Sequence, residues 1–444
     1  SETVGRAGQW GGIKLEGTSA SGEFKYAVVE YSSYGIYFAG IQSRTVKIEE
    51  SVIRYNSDYG IRGSRDSSNN HSYDANITVT NTQIVDNFRH GIYSSEDYER
   101  WEIDGCKILR NGEYGIYIDR LRRLTIKDSE VKENKYGIYL GYCEGEYLVT
   151  GNEISENKSW GLMCRDVSGD RNWTNSNYIE KITNNKINSN GGFGVQFEDW
   201  HRAKMEVKGN EIKNNKGDGF GFHAYLDNTL VFEDNVIEGN EGHGVYFRTL
   251  QDNVQVQGNV IKNNYYSGLY MGKNQYEDRS TEIVIKNNVV SENKQGNDTR
   301  EDNGITLNYK SSATAKITGN TVENGGGYGI KVYNNDTLTS VQVEGNTVKG
   351  NSMAGLRVYG RLLPVVKGNT FDGNGNGLEL VYTDLNASGE FEVSGNAIIN
   401  SGGYGVRIEQ YAQPTITGND LDGSGGYTID NQTSKGINAK NNWW

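Results

Sequence analysis

The chain has 444 residues and a formal charge of -12 at pH 7, with 58 glycines, 30 tyrosines and only 2 prolines. This acidity argues against nucleic acid or an anionic membrane as a partner, because both need a basic face on the protein. No stretch approaches the roughly 18 apolar residues of a membrane span, so membrane insertion is excluded as well.

A glycine followed by an apolar residue recurs from one end of the chain to the other, about every 26 residues. A fuller unit reads G-N-x-[I/V]-x-x-N and then G-[I/V/L]-x-[V/F/L], with clear copies starting at Gly209 and Gly345. This repetition predicts one domain over residues 1–444. The repeat glycines are Gly12, Gly35, Gly60, Gly91, Gly115, Gly137, Gly161, Gly194, Gly219, Gly244, Gly268, Gly304, Gly329, Gly355, Gly377, Gly405 and Gly426.

Apolar and polar residues alternate over short runs within each unit, which is the period of a strand rather than of a helix. Three short strands cannot enclose a core alone, but units stacked about 4.8 Å apart line one continuous interior. We therefore predict an all-β fold, a parallel β-helix solenoid of about 17 turns with three short strands each. The repeated Asn and Gly are interpreted as turn residues, because both tolerate the left-handed conformation.

The repeat unit resembles those of the right-handed parallel β-helix (pectate-lyase-like) superfamily. This superfamily includes pectate lyases, polygalacturonases, mannuronan epimerases, phage tailspikes and surface proteins with carbohydrate-binding and sugar-hydrolase repeats. The resemblance implies a right-handed β-helix, and for function it favours an extracellular polysaccharide-interacting protein. The catalytic motifs of the superfamily are mostly missing: Asp-Pro-His and Asp-Asp do not occur, and Pro364 and Pro414 do not fit Arg-x-Pro-x-x-Arg. The scaffold is therefore implied more firmly than any reaction.

Cofactor motifs are also missing. The three cysteines, Cys106, Cys143 and Cys164, are too few for a disulfide framework, and no C-x-x-C spacing indicates zinc. We expect free thiols, with Cys164 in the core. No cluster of carboxylates has the spacing of a calcium loop, so we expect no cofactor and no metal site, and calcium stays an open alternative without a supporting motif.

Insertions interrupt the repeat mainly at one corner, directly after the G-I-x-V strand. Loops starting at Arg62, Cys164 and Met271 enter there, whereas the one from Asn293 enters elsewhere and has no assigned role. Variable loops on one face of a repeat protein usually mark its binding face. We expect these loops to form a rim along one edge.

Positions counted from the repeat glycine predict columns of outward side chains, because offsets of two and four point away from the core. The column at offset two reads Tyr93, Tyr117, Tyr139, Met163, Gln196, Gly221, Tyr246 and Tyr270, so tyrosine flanks a gap. The column at offset four beside that gap reads Arg165, Glu198, His223 and Arg248. Asp166 and Asp199 share offset five, and Trp173, Trp200 and His201 lie in the adjoining loops.

These columns predict a polysaccharide site. Aromatic rings pack on sugars, and two carboxylates about 5 Å apart suit a retaining glycosidase. Alternatively, Arg or His could abstract the proton beside a uronate carboxylate, as a lyase requires. The catalytic candidates are Glu198, Asp199, Asp166, His223 and Arg248. The substrate-binding candidates are Tyr117, Tyr139, Arg165, Trp173, Gln196, Trp200, His201, Tyr246 and Tyr270.

A purely structural interpretation stays open for the same columns. Alternating charges on a solvated face contribute only about 0–1 kcal/mol per pair, and tyrosine columns arise wherever aromatics stack along a sheet. The sequence therefore leaves it undecided whether the protein is an enzyme, and a polysaccharide lyase or glycoside hydrolase is expected if it is one.

The ends of the chain carry no capping element, since the repeat starts with "GQWGGIKLEG" and stops at "AKNNWW". Uncapped sheet edges favour head-to-tail self-association, or a domain that is part of a longer or assembled surface protein. The rival function is accordingly a non-enzymatic structural or adhesive protein, such as a sheath, filament or wall element at the cell surface. A trimeric phage fibre is a third alternative.

Overall fold

The computed structural model describes residues 5–17, 20–39, 45–64, 75–95, 99–143, 145–165, 179–201, 204–223, 225–226, 229–248, 253–272, 282–293, 303–308, 314–386 and 389–444. Every regular element in these ranges is a β-strand, so they contain no helix that could cross a membrane. Most of the four predicted loops lies outside the described residues, as do Asp166 and Trp173. The chain divides into two compact units, Ser1–Gly217 and Asp218–Trp444.

The first unit consists of short strands. They are β1 (Ile13–Glu16), β2 (Gly22–Lys25), β3 (Val28–Glu30), β4 (Tyr34–Ala39), β5 (Thr45–Glu49), β6 (Val52–Arg54), β7 (Tyr59–Ser64), β8 (Asn76–Thr80), β9 (Gln83–Val85), β10 (His90–Ser94), β11 (Glu99–Asp104), β12 (Lys107–Leu109), β13 (Tyr114–Lys127), β14 (Glu130–Lys132), β15 (Tyr136–Cys143), β16 (Tyr147–Thr150), β17 (Glu153–Ser155), β18 (Leu162–Arg165), β19 (Ile179–Thr183), β20 (Lys186–Asn188), β21 (Val195–Glu198), β22 (Trp200–His201), β23 (Lys204–Lys208) and β24 (Glu211–Lys213).

The second unit has the same organisation. Its strands are β25 (Phe220–Phe222), β26 (Tyr225–Leu226), β27 (Leu230–Glu233), β28 (Val236–Glu238), β29 (Val245–Phe247), β30 (Val254–Gln257), β31 (Val260–Lys262), β32 (Leu269–Met271), β33 (Glu282–Lys286), β34 (Val289–Ser291), β35 (Ile305–Asn308), β36 (Thr314–Thr318), β37 (Thr321–Glu323), β38 (Ile330–Glu344), β39 (Thr347–Lys349), β40 (Ala354–Lys367), β41 (Thr370–Asp372), β42 (Asn376–Tyr382), β43 (Glu390–Ser394), β44 (Ala397–Ile399), β45 (Val406–Gln410), β46 (Gln413–Thr417), β47 (Asp420–Asp422) and β48 (Ile429–Asn431).

Within each unit, the strands other than β22 and β26 pair in parallel with their equivalents one turn away. In the first unit β6, β7 and β8 form one turn and pair with β9, β10 and β11 of the next. Where no insertion separates the second and third strands they fuse, as in β13, β38 and β40. The prediction of an all-β parallel solenoid with three strands per turn is confirmed.

Each unit contains eight equivalents of β3, which gives 16 such turns in the described residues against the predicted number of about 17. Val406 pairs with Ile429, which places Thr428, and not the counted Gly426, in the slot of the repeat glycine. One of the 17 counted glycines, Gly426, is therefore out of register with the stacked turns.

The repeat glycine is required by the close approach of neighbouring turns. A Cβ atom on Gly137 would lie 2.1 Å from the carbonyl oxygen of Gly161 in the next turn. The glycine of the G-N pair has a different role, since Gly209 adopts a φ of 65°, in the left-handed region that glycine tolerates best. The two glycines of the repeat are thus fixed by two separate constraints.

Buried asparagines form ladders along both units, which confirms their structural interpretation. The side-chain oxygen of Asn111 accepts hydrogen bonds from the backbone N–H and the side-chain amide of Asn87, at 3.1 and 3.0 Å. The Asn111 amide in turn bonds the Asn134 oxygen and the carbonyl of Ile84. Every turn thereby satisfies polar groups that burial would otherwise leave unpaired. The longest ladder of the first unit contains Asn56, Asn87, Asn111, Asn134, Asn157, Asn190 and Asn215.

The two cysteines whose side chains the structure describes, Cys106 and Cys164, are free thiols, as expected. Cys106 and Cys164 are both buried, and Cys164 occupies a core position of β18. Burial raises the pKa of the Cys106 thiol to about 11, so this group is a packing residue rather than a reactive nucleophile.

Candidate functional site

A column of stacked tyrosines lies on the outer face of the first unit, at the predicted offset. The ring centroids of Tyr93 and Tyr117 are 4.9 Å apart and those of Tyr117 and Tyr139 are 4.6 Å apart, with planes within 12° of parallel. Both faces of the Tyr117 ring are therefore covered by its neighbours. A ligand would meet the ring edge and hydroxyl of Tyr117 rather than its face.

The hydroxyls of Tyr117 and Tyr139 remain protonated at neutral pH. Burial, followed by the nearby Asp119 carboxylate, raises the pKa of Tyr139 to about 12 and also raises that of Tyr117. Both hydroxyls can accordingly donate a hydrogen bond to a ligand oxygen.

A second aromatic column, which the sequence analysis did not identify, stands beside the first. Its members come directly before the repeat glycine, and successive ring centroids are 4.2 to 5.8 Å apart. The sequence contains a signal for this column, because aromatic-Gly pairs recur in it. The predicted columns use only positions after each repeat glycine and therefore do not include these residues. The column contains Tyr34, Tyr59, His90, Tyr114, Tyr136, Trp160 and Phe193.

His90 is held in this second column as a neutral imidazole. It is 3% exposed, its Nε2 lies 3.2 Å from a Glu113 carboxylate oxygen, and its Nδ1 accepts a bond from the Tyr114 backbone N–H. One nitrogen therefore donates and the other accepts, which is the pattern of the neutral ring. Burial, helped by the charge of Arg89, lowers the pKa of His90 to about 3.

Acidification is expected to destabilise the first unit through His90. The unfolded histidine takes up a proton near pH 6.5 and the folded one only near pH 3, so stability falls as pH decreases between these values. His90→Phe keeps the stacked ring but removes the proton site. Urea unfolding at pH 7, 5.5 and 4 should show the wild type losing more stability than the variant. Equal losses of stability in the two proteins would contradict the assignment. The raised pKa of Asp58 changes stability with pH in the opposite direction to His90, but Asp58 is present in both proteins and its contribution cancels in the comparison.

The tyrosine column stops at a group of polar side chains. Strand pairing places Met163 next to Tyr139, and Gln196 next to Met163. The Gln196 amide donates to Glu198 Oε1 at 2.7 Å. Val195 and Phe197 point into the core, so Gln196 and Glu198 face outward, as predicted.

Arg165 links the end of the column to these polar groups. Its Nε donates to Asp199 Oδ2 at 2.8 Å, and strand pairing sets Arg165 opposite Glu198. A hydrogen bond between Arg165 and the Tyr139 hydroxyl acts to lower the pKa of that tyrosine, but the larger effect of burial raises it. The bond to Asp199 raises the pKa of the Arg165 guanidinium. We call this group, Tyr139, Arg165, Gln196, Glu198 and Asp199, the Arg165 cluster.

The remaining described candidates belong to the second unit. Tyr246 stacks on His243 at 5.1 Å, makes an edge contact with His223 at 5.2 Å, and lies 5.3 Å from Tyr270. Arg248 is exposed just beyond β29. Trp200 and His201 form β22, but their side chains, like Asp166 and Trp173 as a whole, lie outside the described residues.

In the described part of the chain, no three His, Cys, Asp or Glu side chains converge as ligands of one metal ion would. The chemistry available at the Arg165 cluster is hydrogen bonding by one cation, two carboxylates, an amide and a hydroxyl. Such sets recognise the hydroxyl and carboxylate groups of polar ligands.

Comparison with known proteins defines the family. The chain matches the family described as "Right handed beta helix region" over residues 11–179, 143–226, 174–312 and 303–443. It matches none of the curated proteins.

Two solved structures illustrate how distant the structural likenesses are. One is a mutant of a PL6 family alginate lyase, at 10% identity and a TM-score of 0.21, covering 99% of this chain and 97% of that one. The other is a variant of the catalytic domain of a GH87 α-1,3-glucanase in complex with nigerose, at 13% identity and a TM-score of 0.17, covering 93% of this chain and 65% of that one. Neither likeness is close enough to bear on the function of this chain. The family match covers nearly the whole sequence and agrees with the stacked parallel strands of both units, and the chain therefore belongs to the right-handed β-helix family.

Proposed function

We propose that the protein interacts with polysaccharide, and that the Arg165 cluster forms part of its contact surface. The observation that carries the proposal is the change of surface at Met163, where a column of stacked tyrosines gives way to paired, outward-facing polar groups. Tyrosine hydroxyls and half-exposed charged side chains offer donors and acceptors in the mixture that sugar hydroxyls require.

The geometry of the cluster favours recognition by hydrogen bonding. Tyr117 has both ring faces covered, so its contribution would come from its hydroxyl. Arg165 already holds Asp199 in place, which fixes the rotamers of both side chains before a ligand arrives. A site whose side chains are already ordered avoids part of the entropy cost of binding.

A more specific proposal is that the protein is an enzyme, either a polysaccharide lyase or a glycoside hydrolase. Within it, Glu198 is the candidate general acid or base, since it faces outward and its Oε1 accepts a hydrogen bond from the Gln196 amide, while Asp199 accepts one from the Arg165 guanidinium. Asp166, His223 and Arg248 stay predicted candidates, because Asp166 lies outside the described residues and the other two belong to the second unit. A lyase would use a cation such as Arg165 to neutralise a uronate carboxylate.

Replacing Arg165 with methionine tests the contact surface. We expect Arg165→Met to weaken binding of a recognised polysaccharide about tenfold, because a charged hydrogen-bonding group contributes roughly 1.5–3 kcal/mol. Affinity would be measured by calorimetry against a panel of acidic and neutral polysaccharides. The matched control is Arg54→Met, since Arg54 also pairs with a carboxylate at 2.8 Å but projects from β6, which belongs to a different sheet from the β18 strand of Arg165.

The reaction is tested separately by reading reducing ends and unsaturated products with Glu198→Gln. Loss of product with binding retained would support catalysis at Glu198, and unchanged turnover would remove it from that role. Equal affinities for Arg165→Met, Arg54→Met and wild type would overturn the contact surface. A null result over the whole panel would overturn the polysaccharide proposal and leave the structural or adhesive alternative, which predicts regular fibres in electron micrographs.

A further inference from the structure

An open depression of about 580 Å³ lies on the second unit, beside the middle of β40 and the ends of β42 and β45. None of the predicted site residues lines it. Its volume falls within the range of small-ligand sites, roughly 300–1,000 Å³. The lining side chains are Tyr359, Arg361, Thr383, Asp384, Asn386 and Gln410.

The depression forms where a short aromatic column ends. Tyr359 stacks on Tyr333 with ring centroids 5.2 Å apart and planes within 6° of parallel, so one face of its ring is covered. The next turn places Val381 opposite Tyr359, and Val381 is short and buried. The column therefore has no third ring, and the side of Tyr359 that faces this turn borders the depression.

The polar wall of the depression is ordered and electrically balanced. Arg361 Nη2 donates to Asp384 Oδ2 at 2.5 Å, and the other Asp384 oxygen accepts the backbone N–H of Asn386 at 2.9 Å. The backbone here is equally constrained, because Gly360 has a φ of 119° and a Cβ atom there would lie 1.7 Å from the Asn334 oxygen. The guanidinium charge is thus matched by a carboxylate within the site.

We propose that this depression is a binding site for a neutral pyranose unit of a glycan. The aromatic border at Tyr359 suits the apolar face of a sugar ring, and Asp384, Asn386 and Gln410 supply planar acceptors and donors for its hydroxyls. The internal Arg361–Asp384 pair disfavours an acidic sugar, since a uronate carboxylate would face Asp384 without an uncompensated cation. The site lies in the second unit and stands independently of the Arg165 cluster.

The test is calorimetric titration with neutral tetrasaccharides of β-1,4-, β-1,3- and α-1,4-linked glucose and with tetragalacturonate. All proteins carry Arg165→Met, so that the surface of the first unit does not dominate the signal. We expect at least one neutral tetrasaccharide to bind, and Tyr359→Ala and Asp384→Asn each to weaken it about tenfold. The control is Glu282→Gln, which removes the charge of an exposed carboxylate paired with Lys316 at 2.7 Å.

Circular dichroism would verify folding of each variant. If Asp384→Asn fails to fold, Gln410→Ala replaces it, because Gln410 is exposed and its truncation removes a lining amide without breaking an ion pair. The site assignment would be overturned by the absence of neutral binding, by tighter binding of tetragalacturonate, or by equal affinities in the Tyr359 variant and the control. Neutral binding that appears only when Arg165 is restored would belong to the first unit and would also overturn it.

Discussion

Phe232→Ala is expected to lower the free energy of unfolding by about 3–5 kcal/mol, the range for truncating a buried aromatic side chain. Phe232 is 0% exposed, and its ring centroid lies 4.8 Å from that of Phe220 and 6.3 Å from that of Phe247. Phe220 and Phe247 lie on the stacked strands β25 and β29, and Phe232 lies on β27, which pairs with β30. Removing the Phe232 ring opens a cavity that parallel strands held in register cannot close by a small shift.

Guanidinium unfolding followed by far-ultraviolet circular dichroism would measure this loss. The matched control is Phe88→Ala, because Phe88 is 75% exposed and its truncation should change the free energy of unfolding by no more than about 0.5 kcal/mol. Similar losses in the two variants would contradict the proposed core. Repeat proteins can unfold in stages, so the m value should be compared with that of the wild type before the midpoints are converted to free energies.

Asn157→Leu is expected to cost at least about 3 kcal/mol, although leucine is more hydrophobic than asparagine. The Asn157 oxygen accepts from the backbone N–H and the side-chain amide of Asn134, at 3.1 and 3.2 Å. The Asn157 amide donates to the Val131 carbonyl and to the Asn190 oxygen. Leucine would leave several buried polar groups without these partners, and each such group costs roughly 1–3 kcal/mol.

The control for the ladder is Asn76→Leu, the same substitution at an exposed position of β8. It should be nearly neutral, because the Asn76 side chain faces solvent. Thermal unfolding of both variants under one set of conditions gives the comparison. If Asn157→Leu were as stable as Asn76→Leu, the ladder would be a consequence of stacking and not a contributor to stability.

The stabilising interactions lie inside the turns, and this leaves the outer face open to specialisation. Apolar strands and asparagine ladders fill the interior of each unit. Outward columns can then change from tyrosine to Met163 and Gln196, or from Tyr359 to Val381, without altering the stacking of the backbone. Both candidate surfaces arise where an aromatic column is interrupted.

Much of the fold could be predicted from the sequence because its determinants are local. Alternation of apolar and polar residues identifies strands, the spacing of the glycines gives the turn, and offsets from each glycine assign Val195 and Phe197 inward and Gln196 outward. The interruption of the tyrosine column could be located in the same way, since offsets are preserved wherever the strands stack in register.

The partners of the outward side chains were decided only by the tertiary structure. Arg165 and Asp199 are 34 residues apart and at different offsets from their repeat glycines, yet stacking brings their side chains to 2.8 Å. The covered faces of Tyr117, the second aromatic column through His90 and the Thr428 slot likewise depend on contacts between turns. The sequence by itself determined the period of the solenoid and its inside and outside, because strand alternation and turn chemistry act within one repeat. Only stacking of the turns decided which polar groups pair, because such pairs join residues that are neighbours in space across loops of variable length.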